Sequence, residues 1–293
     1  MTQLSTRQLA IDDAPAVQRI SMGSAWTSVH FTEAELPRLL ATRPCVGAFD
    51  AQQHMEAFLL TNSIVPPGGW LGGFGVHWPA RAQVAALLDA QWPLWQRLMA
   101  ARGTQTIYYT GHDRDNDLLH DILLARGFRL HEMLRSYDKI GTDVPAQGNQ
   151  QVRVRPVDVA HDLAGLLAIE QDAFAPPWRH DAAEFTEIAA EYPFFIVAES
   201  ATGEVVGYQC SSKESEIGFL VRIAVRADQH GQGIGTRLMV EAMHYFARAQ
   251  VLRVLLNAEE ANARAHRLYE WFGFTLIEPR GFVLAYDIPN SAQ

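Results

Sequence analysis

In the second half of the chain the apolar residues fall into short blocks, and their spacing switches between two and three-to-four. Val159 to Phe174 carries Leu163, Leu166, Leu167 and Ile169 at helical spacing. Gln151–Pro156, Phe194–Glu199 and Val205–Ser211 read as strands, the last two joined by the turn Ala201–Glu204. Phe219, Val221, Ile223 and Val225 alternate with Leu220, Arg222, Ala224 and Arg226, which predicts another strand. Leu238, Met239, Ala242, Met243 and Phe246 stripe one face of a helix; Val251–Leu256 is a strand; Ala263–Phe272 is a helix stopped by Gly273. Two final strands are expected after it. The pattern is mixed α/β.

The pattern also repeats. Asn116, Gly127 and Phe128 recur as Asn262, Gly273 and Phe274 at one offset, 262 − 116 = 273 − 127 = 274 − 128 = 146. Each copy follows an apolar run (Thr106–Tyr109; Leu252–Leu256) and ends in a Tyr-Asp strand, at Tyr137-Asp138 and Tyr286-Asp287. This order of elements indicates a duplication. Between the copies, Gly141–Gln150 is polar, holds a proline and two glycines, and lacks an apolar period, so it reads as a linker. The expected domains are 1–142 and 151–293.

Composition narrows the function classes. The 293 residues suit two domains, and 48% hydrophobic residues suffice for two cores. A net charge of −9 argues against nucleic acid and anionic membranes as partners and suits a cationic amine. Two cysteines, Cys45 and Cys210, form no metal-binding or disulfide pattern, and no metal is expected. Met1–Asp13 lacks a signal-peptide pattern and no apolar run is long enough to span a bilayer, so a cytoplasmic protein is expected, as a monomer or homodimer.

The segment with the clearest chemistry is Val225–Leu238, with Gly231, Gly233 and Gly235 at alternate positions between a strand and a helix. Glycine lets backbone N–H groups turn inward, and the helix start adds unpaired donors, a combination suited to phosphate oxygens. A Walker loop would need Gly-Lys-Ser/Thr, which is absent. A dinucleotide fingerprint would need its third glycine one position later and a carboxylate near Val251–Arg253, also absent. A plain glycine-rich turn is the remaining alternative.

Over nearly its whole length the second domain resembles the GCN5-related N-acetyltransferases (the GNAT superfamily). His230-Gly-Gln-Gly233-Ile-Gly235 stands at the family's Arg/Gln-x-x-Gly-x-Gly/Ala loop. Asn262, Ala265, Tyr269, Gly273 and Phe274 match the downstream Asn-x-x-Ala-x-x-x-Tyr-x-x-x-Gly-Phe motif. The resemblance implies two tandem GNAT-like domains, each a mixed, mostly antiparallel twisted sheet flanked by helices. It implies acetyl-CoA as co-substrate, held along Ile223, Ala224 and Val225. His230, Gly231, Gln232, Gly233, Ile234, Gly235 and Thr236 would cradle its pyrophosphate. Asn262 would contact the coenzyme, although a helix N-cap explains it equally well. Tyr269 would protonate the departing thiolate; packing on the inner helix face is its alternative.

Departures from the family matter as much. His230 replaces the usual Arg or Gln, and Asn257 stands where many members carry a basic glutamate. Glu216, Glu259 and Glu260 are nearby carboxylates, and spacing does not choose among them. Cys210, Trp271 and Phe272 read as core residues and His266 as surface. In the first domain no glycine falls between Gly75 and Gly103, Asp89 would repel a phosphate near the helix start, and Leu123 replaces Tyr269. That half is expected to keep the fold without the cradle or the acid.

The implied activity is acetyl transfer to a primary amine, either a small molecule or a peptide or protein N-terminus. Ile169–Trp178 resembles the first-helix segment of ribosomal-protein N-terminal alanine acetyltransferases, whereas the duplication resembles the tandem mycothiol synthases. An acyl-CoA-binding regulatory module without turnover is the alternative from another class.

Overall fold

The computed structural model describes residues 4–23, 26–113 and 117–289; Asn116, the first residue of the repeat, lies outside them. In chain order the elements are β1 (Ser5–Gln8), α1 (Ala14–Gly23), β2 (Thr27–Val29), α2 (Leu36–Thr42), β3 (Val46–Phe49), β4 (Met55–Val65), β5 (Gly68–Val76), α3 (Val84–Ala100), β6 (Thr106–Gly111), α4 (His120–Ala125) and β7 (Arg129–Ile140). The second set is β8 (Arg153–Pro156), α5 (Val159–Ala173), α6 (Ala182–Glu191), β9 (Phe194–Glu199), β10 (Val205–Glu214), β11 (Ile217–Val225), α7 (Ile234–Arg248), β12 (Arg253–Glu259), α8 (Ala263–Trp271) and β13 (Thr275–Asp287). No helix among the described residues is long and apolar enough to cross a membrane.

The chain forms two compact units, 1–133 with 281–293, and 134–280. They differ from the sequence halves because each half gives the end of its last strand to the other unit, 134–140 of β7 and 281–287 of β13. In the 134–280 unit β12 pairs antiparallel with β7, Arg253 opposite Ile140 and Glu259 opposite Leu134. In the other unit β6 pairs antiparallel with the end of β13, Thr106 opposite Asp287 and Gly111 opposite Phe282. The exchanged strands fill cores: Tyr137 is buried among Met243, Phe246 and Tyr269, and Phe282 and Leu284 are buried beside Trp95 and Tyr109. The residues of the linker belong to the second unit.

The 134–280 sheet continues from β12 to β11, β10, β9 and β8, antiparallel except for β11–β12. α7 covers one face through Met239, Met243 and Phe246. α5 and α6 cover another part of the sheet, with Leu166, Ile169 and Phe185 packed on Phe195, Tyr208 and Cys210. A fully buried leucine or phenylalanine stabilises by about 1.5–3 kcal/mol, so these stripes decide which way each helix faces. α6, absent from the sequence reading, starts on a capping box between Asp181 and Glu184. The two strands expected at the end are one, β13.

In the first unit β5 and β6 are the parallel pair, Gly68 opposite Thr106 and Trp70 opposite Tyr108. Beyond Trp70, β5 turns the same edge to β2 instead: Val29, Ser28 and Thr27 lie opposite Gly73, Phe74 and Gly75, whose other edge is taken by β4. The Ser28 hydroxyl reaches the Tyr109 hydroxyl of β6 at 2.8 Å. The chain itself thus fills the gap between β5 and β6. The glycine-free stretch folds as a 3-10 turn, Trp78–Gln83, leading into α3. Asp89 lies in the second turn of α3, bound to Arg126 at 2.6 Å, and Leu123 is buried.

Candidate active site

β11 and β12 pair only at Ile217–Phe219 with Arg253–Leu255. Past those residues the strands diverge, although β11 stays paired with β10 up to Val225. Every second peptide group of a strand points to each side, so the β11 edge from Leu220 onward is left without a strand partner. This divergence opens a cleft of about 810 Å³ lying wholly within the 134–280 unit.

One wall is the β11 edge, including Ile223, Ala224 and Val225. A second is the glycine loop and the first turn of α7: His230, Gly231, Gly233, Ile234, Gly235 and Thr236. Gly231 and Gly233 have φ of +80° and +75°, and Gly233 is the residue from which α7 starts. L side chains rarely adopt such φ values, and alternation of hand along a loop turns successive N–H groups to one side. A Cβ on Gly231 would meet nothing within 4 Å, so backbone conformation rather than crowding requires the glycine. The third wall is the end of β12 and α8, with Asn257, Glu259, Asn262 and Tyr269.

All the residues assigned from sequence to the coenzyme line this cleft, except Gln232, whose Nε2 donates to Gln229 Oε1 at 3.2 Å. His230 turns back along the loop. Its Nε2 donates to the Val225 carbonyl at 2.8 Å, which fixes the end of β11 and commits that acceptor. Asn262 caps α8, its side chain accepting from Ala265 N–H at 3.1 Å, while also lining the cleft. Tyr269 is buried, and burial, with Tyr137 close by, pushes its phenol well above the ordinary tyrosine range.

Of the three candidate carboxylates only Glu259 lines the cleft. Glu260 is shared between Arg135 at 3.3 Å and Arg280 at 3.1 Å. Glu216 sits in the β10–β11 turn, its carbonyl accepting from Leu252 N–H. Two readings of bystanders change. His266 is buried rather than on the surface: its Nε2 donates to the Glu260 carbonyl at 3.1 Å, which leaves Nδ1 to accept from the Tyr137 hydroxyl at 3.0 Å. Trp271 is 51% exposed rather than core, because α8 turns its 269 and 272 positions inward instead. Cys210 is buried, and burial raises its thiol to about 12, which removes it as a nucleophile at neutral pH.

The sequence reading missed the brace behind the remaining wall, formed by Asp172, Phe174 and Trp178. Arg222 of β11 binds the buried Glu170 of α5 through two contacts, at 2.6 and 3.1 Å. Tyr208 donates its hydroxyl to the same carboxylate, and Arg222 donates to the Trp178 carbonyl. The guanidinium lies 3.6 Å from the centre of the Phe174 ring. A signal was present: Glu170 continues the apolar stripe of Leu163 and Leu166/Leu167, and a carboxylate there requires a buried cation.

Residues 163–274 match the model of the acetyltransferase (GNAT) family. A mycothiol acetyltransferase of Thermobispora bispora is 29% identical over 170 residues, which is 52% of this chain and 57% of that protein. A Bacillus subtilis protein named for alanine N-acetyltransfer to ribosomal protein bS18 is 25% identical over 129 residues, 44% of this chain and 83% of its own. The chain spans less than two thirds of the mycothiol acetyltransferases it matches. A tandem GNAT protein from the clavulanic acid biosynthesis pathway shares the fold, with a TM-score of 0.71 at 13% identity, covering 99% of this chain and all of that one. The glycine loop and the Asn262-to-Phe274 motif that line the cleft lie within this matched segment, and residues 163–274 belong to the acetyltransferase (GNAT) family.

Proposed function

We propose that the chain is an acetyl-CoA-dependent N-acetyltransferase that acts on a primary amine, with the chemistry confined to the 134–280 unit. The observation that carries this reading is one continuous cleft joining an unpaired strand edge, a glycine cradle and Tyr269. The strand edge suits the amides of a pantetheine arm, and the left-handed glycines suit a pyrophosphate. Bound acetyl-CoA supplies the activated acyl group.

The chain's own part is to polarise one carbonyl and to manage two protons. An unpaired N–H on β11 donates to the developing oxyanion. A primary amine is mostly protonated at neutral pH, so a base must remove its proton before the nitrogen attacks. Glu259, which lines the cleft, takes it directly or through water, in place of the glutamate that the family resemblance would put at Asn257. As the C–S bond breaks, Tyr269 gives its proton to sulfur, and the second proton leaving the new amide nitrogen returns the phenol to its starting state through water. The first unit carries no chemistry in this reading, which is supported by its glycine-free loop and by β2 occupying the β5–β6 gap.

The wall of Phe174 and Trp178 together with Asp172 suits a cationic acceptor with an apolar neighbouring group. The test is to measure free thiol released from acetyl-CoA with panels of amines, amino acids and short peptides. Acceptor-dependent release is expected. Coenzyme binding with release no faster than hydrolysis for every acceptor would reduce the protein to a binding module.

A further inference from the structure

The segment before β8 has a role that its sequence gives no hint of. Gly141–Gln150 reads as a linker, yet its last residues lie across the outer side of the glycine loop. Asn149 N–H donates to the Gly233 carbonyl at 3.0 Å. Asn149 Nδ2 donates to the Gln232 carbonyl at 2.9 Å. Asn149 Oδ1 accepts from Gln151 N–H at 2.7 Å and from Val152 N–H at 3.3 Å, which anchors the residue to the start of β8. Gln150 Oε1 accepts from Arg237 of α7 at 2.9 Å. Gly148, with φ of +68°, comes so close that a Cβ would lie 2.4 Å from the Arg237 nitrogen.

From this arrangement we infer that Asn149 is a positioning residue for the pyrophosphate cradle; the inference rests on the coenzyme reading given above. In a planar trans peptide the C=O and the following N–H point in opposite directions. Anchoring the Gln232 and Gly233 carbonyls on Asn149, outside the cleft, therefore turns the N–H groups of Gly233 and Ile234 the other way. Gly233 and Ile234 both line the cleft. The Gly233 carbonyl also accepts the first bond of α7, from Arg237 N–H at 3.0 Å, so one oxygen ties strap, loop and helix together. A glycine loop without such a strap samples many peptide orientations, and binding a phosphate would then carry the cost of ordering it. Asn149 removes that cost before the coenzyme arrives.

The test compares the full-length parent with Asn149→Ala and Asn149→Ser by calorimetric titration with CoA and with S-acetylpantetheine, which lacks the pyrophosphate. Serine keeps an acceptor for the Gln151 turn but cannot reach the Gln232 carbonyl. Both variants should bind CoA roughly three- to tenfold more weakly, the effect of one hydrogen bond. Neither should change in its affinity for S-acetylpantetheine or in its melting temperature by more than a degree or two. Equal losses on both ligands would mean general damage and overturn the inference, and so would full recovery in the serine variant. If the parent binds CoA and the variants bind it equally well, the strap is only structural. If the parent does not bind CoA, the coenzyme reading falls first and this inference falls with it.

Discussion

At Gly233 the requirement on the residue is conformational: φ is +75°, and a Cβ would stand 3.4 Å from the Asn149 nitrogen. Gly233→Val would force a β-branched side chain into a region costing about 1–3 kcal/mol. The loop would relax out of shape while the cores stay intact, so CoA affinity should fall by more than roughly tenfold with little change in melting; unchanged affinity by calorimetry would take the loop out of the site. Tyr269 makes a different prediction. Its ring is buried against Tyr137 and Phe274, and Tyr269→Phe removes only the hydroxyl. Thiolate is a fair leaving group, with a thiol pKa of about 8–9, so the acid helps without being indispensable. kcat should fall by roughly a hundredfold at neutral pH, while stability and CoA affinity hold. Because burial raises the phenol, activity that depends on it should persist through the ordinary tyrosine range and be lost only at higher pH. A phenylalanine variant working at the parent rate would make Tyr269 a core aromatic alone. Residues fixed by backbone geometry or motif spacing, such as Gly231, Gly233 and Tyr269, were legible in the sequence. Residues whose place depends on a distant partner were not: buried His266 accepts from the hydroxyl of Tyr137, far away in the chain, and Arg222 is held by Glu170 of α5.

The elements were legible wherever one periodicity ran long enough, as along α5, α7, β9 and β11. α6 was not, because its apolar face rests on little more than Phe185 and Ile188, and its start signal is the Asp181–Glu184 pair. Ends of elements carry their own chemistry. At the start of α5, Arg155 of β8 donates to both oxygens of Asp162 at 2.7 Å and to Glu199 of β9 at 2.6 Å, so one guanidinium joins two strands and a helix. These bonds to Arg155, aided by His161 and the Asp158 N–H, hold the Asp162 carboxyl well below the usual range. The folded chain thus favours the ionised form more than the unfolded chain does. The stabilisation is full above the unfolded pKa of about 3.9 and drains away as pH falls toward the lower folded value. Asp162→Asn should cost about 2 kcal/mol at pH 7, and the gap between parent and variant in urea unfolding should narrow steadily below about pH 4. A gap constant down to pH 3 would show that the charge contributes nothing.

For the whole molecule, a division of the chain into two parts was legible, and the sheet that each last strand joins was not. Tyr137-Asp138 and Tyr286-Asp287 both lie on the last strand of their half, but they are out of register: Asp287 faces Thr106, the first residue of β6, whereas Ile140 faces Arg253, the first residue of β12. Each pair, however, serves the other copy's sheet, and no periodicity along the chain records which sheet a strand joins. Fragments cut at the linker are therefore cut in the wrong place. A 151–293 fragment would leave the whole of β12 without β7 and would remove Tyr137 from the core. Losing one buried aromatic costs about 2–3 kcal/mol and each ladder hydrogen bond about 1 kcal/mol more, a sum comparable to the 5–15 kcal/mol that holds a typical domain. The bare β12 edge would also invite pairing between molecules. A 134–280 fragment keeps the part of β7 that pairs with β12 (Leu134–Ile140), the strap at Gly148–Gln150 and every residue lining the cleft. It should stay soluble and bind CoA within a few-fold of the parent, while 151–293 should aggregate or sediment as oligomers. The check is sedimentation of both fragments followed by calorimetry on whichever remains monomeric. A monomeric 151–293 fragment with parental affinity would mean that β7 is dispensable to the second unit, and that the exchange of strands contributes nothing to the site.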